Sequence, residues 1–417
     1  MNQQPYAVPP QWWAPKLRPF WVRLLRHHRL WRLRRLQRIT KVEVSGAEQV
    51  QAALASGAGL LITPNHSFHF DAYVLFEASA RVQRTFYYVA SWQLFAMNGP
   101  IERWMLQTHG VFSIDRETTD LRAIKKAVEI IKASPHPLVI FPEGEIYHTN
   151  DRLTPFRDGA AAMAIAAAKR ANRPILIVPT AIKAWYQDDP EPRLLKVIEV
   201  IERRFNWRAR PQRSMKDRIY RIANAILTLK ELEYLGAAQP GPLVLRLRAL
   251  AETLLVRIEE QSGIRLTDNV IPERVKNVRH HHIQLLRSTD LPSVERTRLL
   301  MEMDDLFFVI QLFSYPGDYA DTQPTRERLA EIIDKFEEDI LGLTYPTIKG
   351  DRRVELRFGT PISVTPYIAL ADGAHLLTRE LETRVQELLN ELNRTGQDGP
   401  ARRSESNTLP ESHHAGF

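Results

Sequence analysis

Residues 59–71 read Gly59-Leu60-Leu61-Ile62-Thr63-Pro64-Asn65-His66-Ser67-Phe68-His69-Phe70-Asp71. The apolar run at 59–63 predicts a short buried strand, and a helical pattern with an acidic first residue follows from Asp71 to Arg81. The loop between them follows the end of a strand, where open α/β sheets gather their functional residues. The stretch therefore predicts both an α/β fold and the position of a site.

Two polar side chains of this stretch suit acid–base chemistry. His66 follows the strand by a short loop, and Asp71 lies five residues further on. A loop that curls back places the carboxylate against one imidazole nitrogen, so that the other nitrogen can accept a proton from a hydroxyl nucleophile. Taken alone, the pair is better explained by a structural hydrogen bond at a helix N-terminus, and His69 is a second candidate for the base.

Strand and helix patterns alternate along residues 42–189, which indicates an α/β domain with a mainly parallel or mixed sheet flanked by helices. Further strands are predicted at 87–90, 137–141 and 175–178. Further helices are predicted at 121–132 and 160–170.

A large helical insertion is predicted at residues 190–343, where strand candidates are few. One helical face there carries Leu243, Leu247, Leu250, Leu254 and Ile258. The charged helix at 325–340 has the composition of an ordinary exposed face. His280, His281 and His282 are successive on a helix and cannot all face one ion, so we expect a solvated cluster and assign no metal.

After the insertion the chain is expected to return to its first sheet. Alternation at 354–362 predicts a strand that ends in a turn, so residues 344–393 are assigned to the α/β domain and a terminal helix. Residues 394–417 are rich in Ser, Gly, Pro, Arg and His and are expected to be disordered.

The net charge of +8 comes from the N-terminal end of the chain. The first 45 residues hold ten Lys or Arg and one acid, Glu43, whereas the remainder holds 47 basic and 48 acidic residues. Aromatic rings are interleaved with these cations, a mixture that suits the headgroup region of an anionic membrane. The rings are Trp12, Trp13, Phe20, Trp21 and Trp31.

Residues 1–41 are therefore predicted to form a basic aromatic arm, with an interfacial helix at 17–39, that docks on the inner membrane leaflet from the cytoplasm. The alternative is a solvated arm packed on the domain. A nucleic-acid partner is not expected, because the rest of the chain is near neutral. No apolar run approaches the roughly 18 residues of a spanning helix, and the N-terminus lacks the apolar core of a secretory signal.

The chain contains no cysteine. Disulfides, thiolate nucleophiles and cysteine-ligated metal centres are thereby excluded, and the composition fits a reducing compartment.

Four segments, taken in order over the first 185 residues, resemble the motifs of the glycerolipid acyltransferase family, which includes the lysophosphatidate acyltransferases. The first motif, Asn-His followed by four residues and Asp, is matched by Asn65, His66 and Asp71. The second, a glycine before a hydrophobic stretch closed by Asp-Arg, is matched by Gly110-Val111-Phe112-Ser113-Ile114-Asp115-Arg116. The third is matched by Phe141-Pro142-Glu143-Gly144, with Phe156-Arg157-Asp158-Gly159-Ala160 further on. The fourth, a hydrophobic strand that runs into proline, is matched by Ile177-Val178-Pro179.

The resemblance implies a glycerol-phosphate acyltransferase-like fold and O-acyl transfer, with no cofactor beyond the co-substrate. In that family the histidine takes a proton from an acceptor hydroxyl, which attacks the thioester of acyl-CoA or of an acyl carrier protein. His66 is then the base and Asp71 its partner. The implied substrate-binding residues are Asn65, Arg116, Glu143, Gly144 and Arg157. The arginines are assigned to the phosphate of a lysophospholipid or related glycerolipid, although either one alone also fits a structural ion pair.

Two departures from the family pattern concern the acceptor. Glu145 and Ile146 stand where the family commonly has Thr-Arg, which removes a cation, adds an acid and puts a lysophosphatidate acceptor in doubt. Phe68 stands where serine is common and makes the entrance more apolar. Two alternatives stay open, namely acyl transfer to a different lipid and a non-catalytic lipid-binding or membrane-binding protein on the same fold. We make no prediction of the acyl chain length or the oligomeric state.

Overall fold

The computed structural model describes residues 10–264, 270–321 and 324–397. Its strands are β1 (Ile39–Ser45), β2 (Gly59–Pro64), β3 (Tyr87–Ser91), β4 (Val111–Ile114), β5 (Leu138–Val139), β6 (Ile175–Tyr186), β7 (Arg352–Phe358) and β8 (Ile362–Ser363). Within the described ranges these eight strands form a sheet in the order β1-β7-β6-β2-β5-β3-β4, and β8 pairs with β6.

Helices cover both faces of this sheet and build the insertion. Those of the N-terminal part are α1 (Pro19–Leu24), α2 (Arg26–Leu36), α3 (Ala47–Ala55), α4 (Asp71–Val82), α5 (Trp92–Ala96), α6 (Pro100–Thr108), α7 (Leu121–Ala133) and α8 (Gly159–Ala168). Those that follow are α9 (Glu191–Arg204), α10 (Met215–Leu235), α11 (Leu243–Gln261), α12 (Ile271–Leu286), α13 (Ser293–Phe313), α14 (Arg326–Asp339) and α15 (Gly373–Gln397).

The centre of the sheet is buried on both faces because the apolar side chains of β2 enter two different cores. Leu60 and Ile62 pack into one core with α3 and α4, whereas Leu61 packs into a second core with α7, α8 and α15. Such a continuous apolar run is what a parallel strand covered on both faces requires. The central strand therefore holds its following loop on a rigid base.

The sheet is mixed because β6 has neighbours of both orientations. β2 pairs with β6 in parallel, and β7 and β8 pair with β6 antiparallel. The predicted class, a mixed α/β sheet flanked by helices with a large helical insertion, is confirmed. Sequence patterns missed β1, which crosses the predicted boundary at 41/42, and they gave only the first third of β6.

Residues 190–343, the helical module, have two apolar cores of their own. Leu250, Leu254 and Ile258 of α11 pack against α12 and α13. A second core joins α9, α10 and α14. The prediction of a solvated histidine cluster is wrong for His282, which is buried against Glu302.

Helix α14 also differs from its prediction as an exposed charged face. Six of its charged side chains are buried, namely Glu327, Glu331, Asp334, Lys335, Glu337 and Glu338. Several of their partners lie outside the helix: Glu331 accepts a hydrogen bond from the backbone of Asn150 at 3.0 Å, and Lys349 pairs with two of the acids. Because these partners lie outside the helix, its own composition did not reveal the burial.

The N-terminal arm contains two helices instead of the predicted single helix, since the chain leaves helical geometry at Leu25. Its inner side is docked on the domain, with Val22, Arg29 and Leu33 buried. At the other end of the chain, α15 runs to Gln397, so residues 394–397 of the predicted disordered tail are helical. The rest of that tail, 398–417, lies outside the described residues. Within the described ranges, no helix has the length and apolar character needed to cross a membrane.

Candidate active site

His66 and Asp71 meet in the loop that follows β2. The Nδ1 atom of His66 lies 3.0 Å from Oδ2 of Asp71, and the same oxygen accepts the backbone N–H groups of Ser67 and Phe68, each at 2.9 Å. Asp71 is fully buried at the start of α4, where the helix dipole also favours a carboxylate. This arrangement keeps the proton on Nδ1 and leaves Nε2 as the basic nitrogen.

Two further contacts fix the position of His66. It stacks on Phe141 with ring centroids 3.9 Å apart, and its backbone N–H donates to Oε1 of Glu143 at 2.7 Å. The other oxygen of Glu143 accepts the backbone N–H of Thr154 at 3.0 Å. Burial raises the pKa of Glu143 to about 8, although these two donors act in the opposite direction. Glu143, which was predicted to bind substrate, lines the adjoining cavity and also links the loops at His66 and Thr154 through these two contacts.

Asn65 is also placed differently from its prediction as a substrate-binding residue. Its side chain is fully buried and accepts from the backbone N–H of Ile182 at 2.7 Å while donating to the carbonyl of the same residue at 3.0 Å. Asn65 thus extends the pairing of β2 with β6 by one step beyond the end of β2. Asn150 makes the same two-sided contact with Ala184, and sequence reasoning missed it because a lone asparagine carries no motif.

His66 opens into a cavity of about 1250 Å³. The cavity is lined by the loops after β2, β4 and β5, by α5 and α6, and by the arm, which contributes Leu25, Arg29 and Arg32. A volume of this size exceeds that of an ordinary small-molecule pocket, which measures about 300–1,000 Å³. The site therefore has room for a long apolar ligand beside the base.

Arg116, Gly144 and Arg157 come together on one wall of this cavity. Arg116 donates to the carbonyl of Gly144, and Gly144 has a φ of +79°. A Cβ at Gly144 would lie 2.8 Å from Nε of Arg157, so the absence of a side chain is what lets the guanidinium cover the turn. The structure thus brings together the three residues that the sequence assigned to the acceptor.

Glu145 supplies a negative charge beside the two arginines of this cavity wall. Its carboxylate lies 3.4 Å from Arg116. Burial by itself would raise the pKa of Glu145, but the charges of Arg116, Arg157 and Arg279 outweigh it and lower the pKa. An ionised acid therefore already occupies the field of the arginines.

The helical module completes the cavity, a role that the sequence did not indicate. Glu273 and Lys276 of α12 line it, and Arg279 of the same helix pairs with Glu117 at 3.1 Å. His69, the second candidate for the base, bonds through Nε2 to Glu338 of α14 at 2.8 Å. His66 is thus the histidine of this loop that is paired with Asp71.

Comparison with known proteins agrees with this geometry. Residues 41–183, which include both members of the His66–Asp71 pair, match the family model described as Acyltransferase. The chain contains an acyltransferase-family domain. The chain is also 32% identical over 105 residues to a 1-acyl-sn-glycerol-3-phosphate acyltransferase of Streptococcus pneumoniae (strain ATCC BAA-255 / R6). That match covers 25% of this chain and 36% of the relative, so the chain spans about a third of the relative's length. The acyltransferase family model ends within β6, before the helical module begins.

Proposed function

We propose that this protein transfers an acyl group from a thioester donor, acyl-CoA or an acyl carrier protein, to a hydroxyl of a lysophospholipid or related glycerolipid. The observation that carries the proposal is the His66–Asp71 pair, with Nδ1 and Oδ2 3.0 Å apart, at the wall of a large cavity. The acyltransferase family model, which covers both residues, supports the same reaction class.

In the proposed reaction His66 acts as the general base. Nε2 takes the proton of the acceptor hydroxyl as its oxygen forms a bond to the thioester carbonyl carbon. The carbon–sulfur bond then breaks, and the departing thiolate takes the proton back from the imidazolium. Asp71 stabilises the imidazolium between these two steps, while Phe141 stacks on the ring and Glu143 holds the backbone of His66.

The acceptor is proposed to reach the cavity from a membrane surface. Phe20 and Ile101 expose 68% and 71% of their surfaces, and Trp21 joins their helices by edge contact with Trp104, the ring centroids being 5.4 Å apart. Met97 is also exposed and lines the cavity, and we call Phe20, Met97 and Ile101 the exposed rim. Exposed apolar side chains beside arginines are suited to the headgroup region of an anionic inner leaflet. A lipid bound there would stand next to the cavity mouth.

The arginine wall favours an acceptor other than a free phosphate monoester. The relative from Streptococcus pneumoniae is named for 1-acyl-sn-glycerol-3-phosphate, whereas Glu145 here already supplies a negative charge to Arg116 at 3.4 Å. A second negative group would have to compete with this acid. We therefore propose a glycerolipid whose head group is neutral or zwitterionic.

The test is a transfer assay with purified protein, labelled acyl-CoA or acyl carrier protein, and a panel of lysolipids and acylglycerols in vesicles. We expect a labelled product with at least one acceptor and a loss of at least about 100-fold in His66→Ala. His281→Ala, in the helical module outside the cavity lining, is the matched control. Vesicle binding without transfer in the wild type would instead support the non-catalytic lipid-binding alternative.

A further inference from the structure

Three potential metal ligands converge beside the His66 loop from distant parts of the chain. His69 lies in that loop, His148 follows the turn at Gly144, and Glu338 belongs to α14. Oε1 of Glu338 is 2.8 Å from Nε2 of His69 and 3.1 Å from Nε2 of His148. The three ligand atoms all lie within 4.8 Å of one another. No sequence motif groups these residues, which is why the expectation of no metal considered only His280, His281 and His282.

The spacing of the three groups fits a transition metal. Zinc binds imidazole nitrogen and carboxylate oxygen at about 2.0–2.2 Å, so neighbouring ligand atoms of a tetrahedral site stand about 3.4 Å apart. The separations of 2.8 and 3.1 Å, with an upper limit of 4.8 Å, bracket this value. A cation placed between the three atoms needs only small side-chain movements. Two imidazoles and one carboxylate form a ligand set suited to zinc.

The backbone of His148 also has an unusual conformation. His148 has a φ of +52°, a region that residues other than glycine rarely adopt, and its side chain is 2% exposed. Its Nδ1 atom meets no hydrogen-bond partner, so Glu338 is its hydrogen-bonding partner within the described ranges. With this backbone conformation, Nε2 of His148 lies 3.1 Å from Oε1 of Glu338 in a buried position.

We propose that His69, His148 and Glu338 form a three-ligand site for a divalent transition metal of the zinc type. His69 and Glu338 line the cavity, so a metal held by the three groups would lie at the cavity wall. The site joins the helical module to the loop of the base, since His69 is three residues from His66. Its role is structural: the metal clips α14 onto the acyltransferase domain and fixes the loop at 64–70.

Metal binding to the chelator-stripped, tag-free full chain tests this proposal. We expect about one equivalent of Zn²⁺ per chain by calorimetric titration, and visible absorption bands of a low-coordinate site when Co²⁺ is used. His69→Asn and Glu338→Gln are expected to bind Zn²⁺ at least about 100-fold more weakly. His281→Ala, which alters another histidine outside the cluster, should bind as the wild type does.

Thermal unfolding supplies a second readout that does not depend on transfer activity. Zn²⁺ should raise the Tm of the wild type and of His281→Ala, but not that of His69→Asn. His69 is half-exposed, so this variant is expected to fold even if Glu338→Gln does not. Wild-type protein without a stoichiometric site, or ligand variants that bind Zn²⁺ as well as the wild type, would overturn the proposal. Neither result bears on whether His66 is the base.

Discussion

The carboxylate of Glu145 lies 3.4 Å from the guanidinium of Arg116, on the cavity wall where the resemblance to glycerolipid acyltransferases implies a phosphate site. The pair is half-buried, and Arg157 and Arg279 add their charges to it. An internal anion in this position changes the charge that an acceptor meets.

Removal of the internal acid should shift the choice of acceptor. Glu145→Thr frees Arg116 and Arg157, so the ratio of kcat/KM for lysophosphatidate to that for a neutral monoacylglycerol should rise about tenfold, which corresponds to about 1.4 kcal/mol. Steady-state assays with both acceptors in mixed vesicles measure this ratio. Glu129→Gln, on an exposed face, is the control. An unchanged ratio in Glu145→Thr would show that the arginines do not face the head group.

Loss of the charge on Asp71 should reduce catalysis while leaving donor binding intact. In Asp71→Asn the amide cannot stabilise an imidazolium at His66, so kcat should fall about 10²- to 10⁴-fold. Donor affinity, measured by fluorescence titration with an acyl-CoA analogue, should stay within about twofold. Asp290→Asn changes an exposed acid and should keep full activity. A variant of Asp71 with wild-type kcat would remove the pair from the mechanism.

Asn65 should contribute to stability through its two contacts with Ile182. Asn65→Ala leaves a buried N–H and a buried carbonyl without partners, which should lower the free energy of unfolding by about 2–4 kcal/mol. Urea unfolding followed by circular dichroism measures this. Asn277→Ala, at an exposed position of α12, should change stability by less than about 0.5 kcal/mol. If Asn65→Ala and Asn277→Ala have the same urea midpoint of unfolding, the contacts of Asn65 with Ile182 do not stabilise the fold.

The buried contact between Arg29 and His109 should make stability pH-dependent. Nε2 of His109 accepts from Arg29 at 2.7 Å, and burial lowers the pKa of His109 to about 4. Between about pH 6.5 and 4 the unfolded chain binds a proton at this residue that the folded chain does not. Stability should therefore fall as the pH is lowered through this window.

Substitution of His109 tests this assignment. In His109→Gln the difference in Tm between pH 7.5 and pH 5 should be smaller than in the wild type, as measured by scanning calorimetry. His27→Gln, an exposed histidine of the same arm, should behave as the wild type does. If both variants keep the wild-type difference, protonation of His109 is not coupled to folding.

The exposed rim should bind membranes by its apolar side chains. Each large apolar side chain that leaves water contributes about 1.5–3 kcal/mol, so Phe20→Ala combined with Ile101→Ala should weaken binding to anionic vesicles by about 100-fold or more. Flotation of vesicles with the bound protein measures this. Val294 is 82% exposed in the helical module, and Val294→Ala should bind like the wild type. If the double variant and Val294→Ala lose vesicle affinity to the same extent, the membrane contact lies elsewhere on the protein.

The features predicted correctly from the sequence are those with a local pattern. The apolar run of β2, the amphipathic α7 and the spacing of His66 and Asp71 each lie within about a dozen residues. β1 was missed because its strand is half-exposed and carries charged residues, so it resembled the basic arm that precedes it.

Long-range partners were not predictable in this way. Glu338 is 190 residues from His148, and a charged helix with exposed partners has the same composition as one whose partners are buried. Glu143 was assigned to substrate because the family motif includes it, yet its two backbone contacts depend on how the loops at His66 and Thr154 fold together. Such contacts exist only in the tertiary structure.

The position of β7 in the sheet has a consequence for the order of folding. Val42 of β1 pairs with Val354 of β7, and the whole helical module lies between them in the chain. A growing chain therefore exposes the edge of β6 that β7 will cover until nearly all of it has been made. Loop closure over such a distance is slow, and an open strand edge promotes association with other chains. Because the helical module has two apolar cores of its own, its helices can pack together before β7 is made.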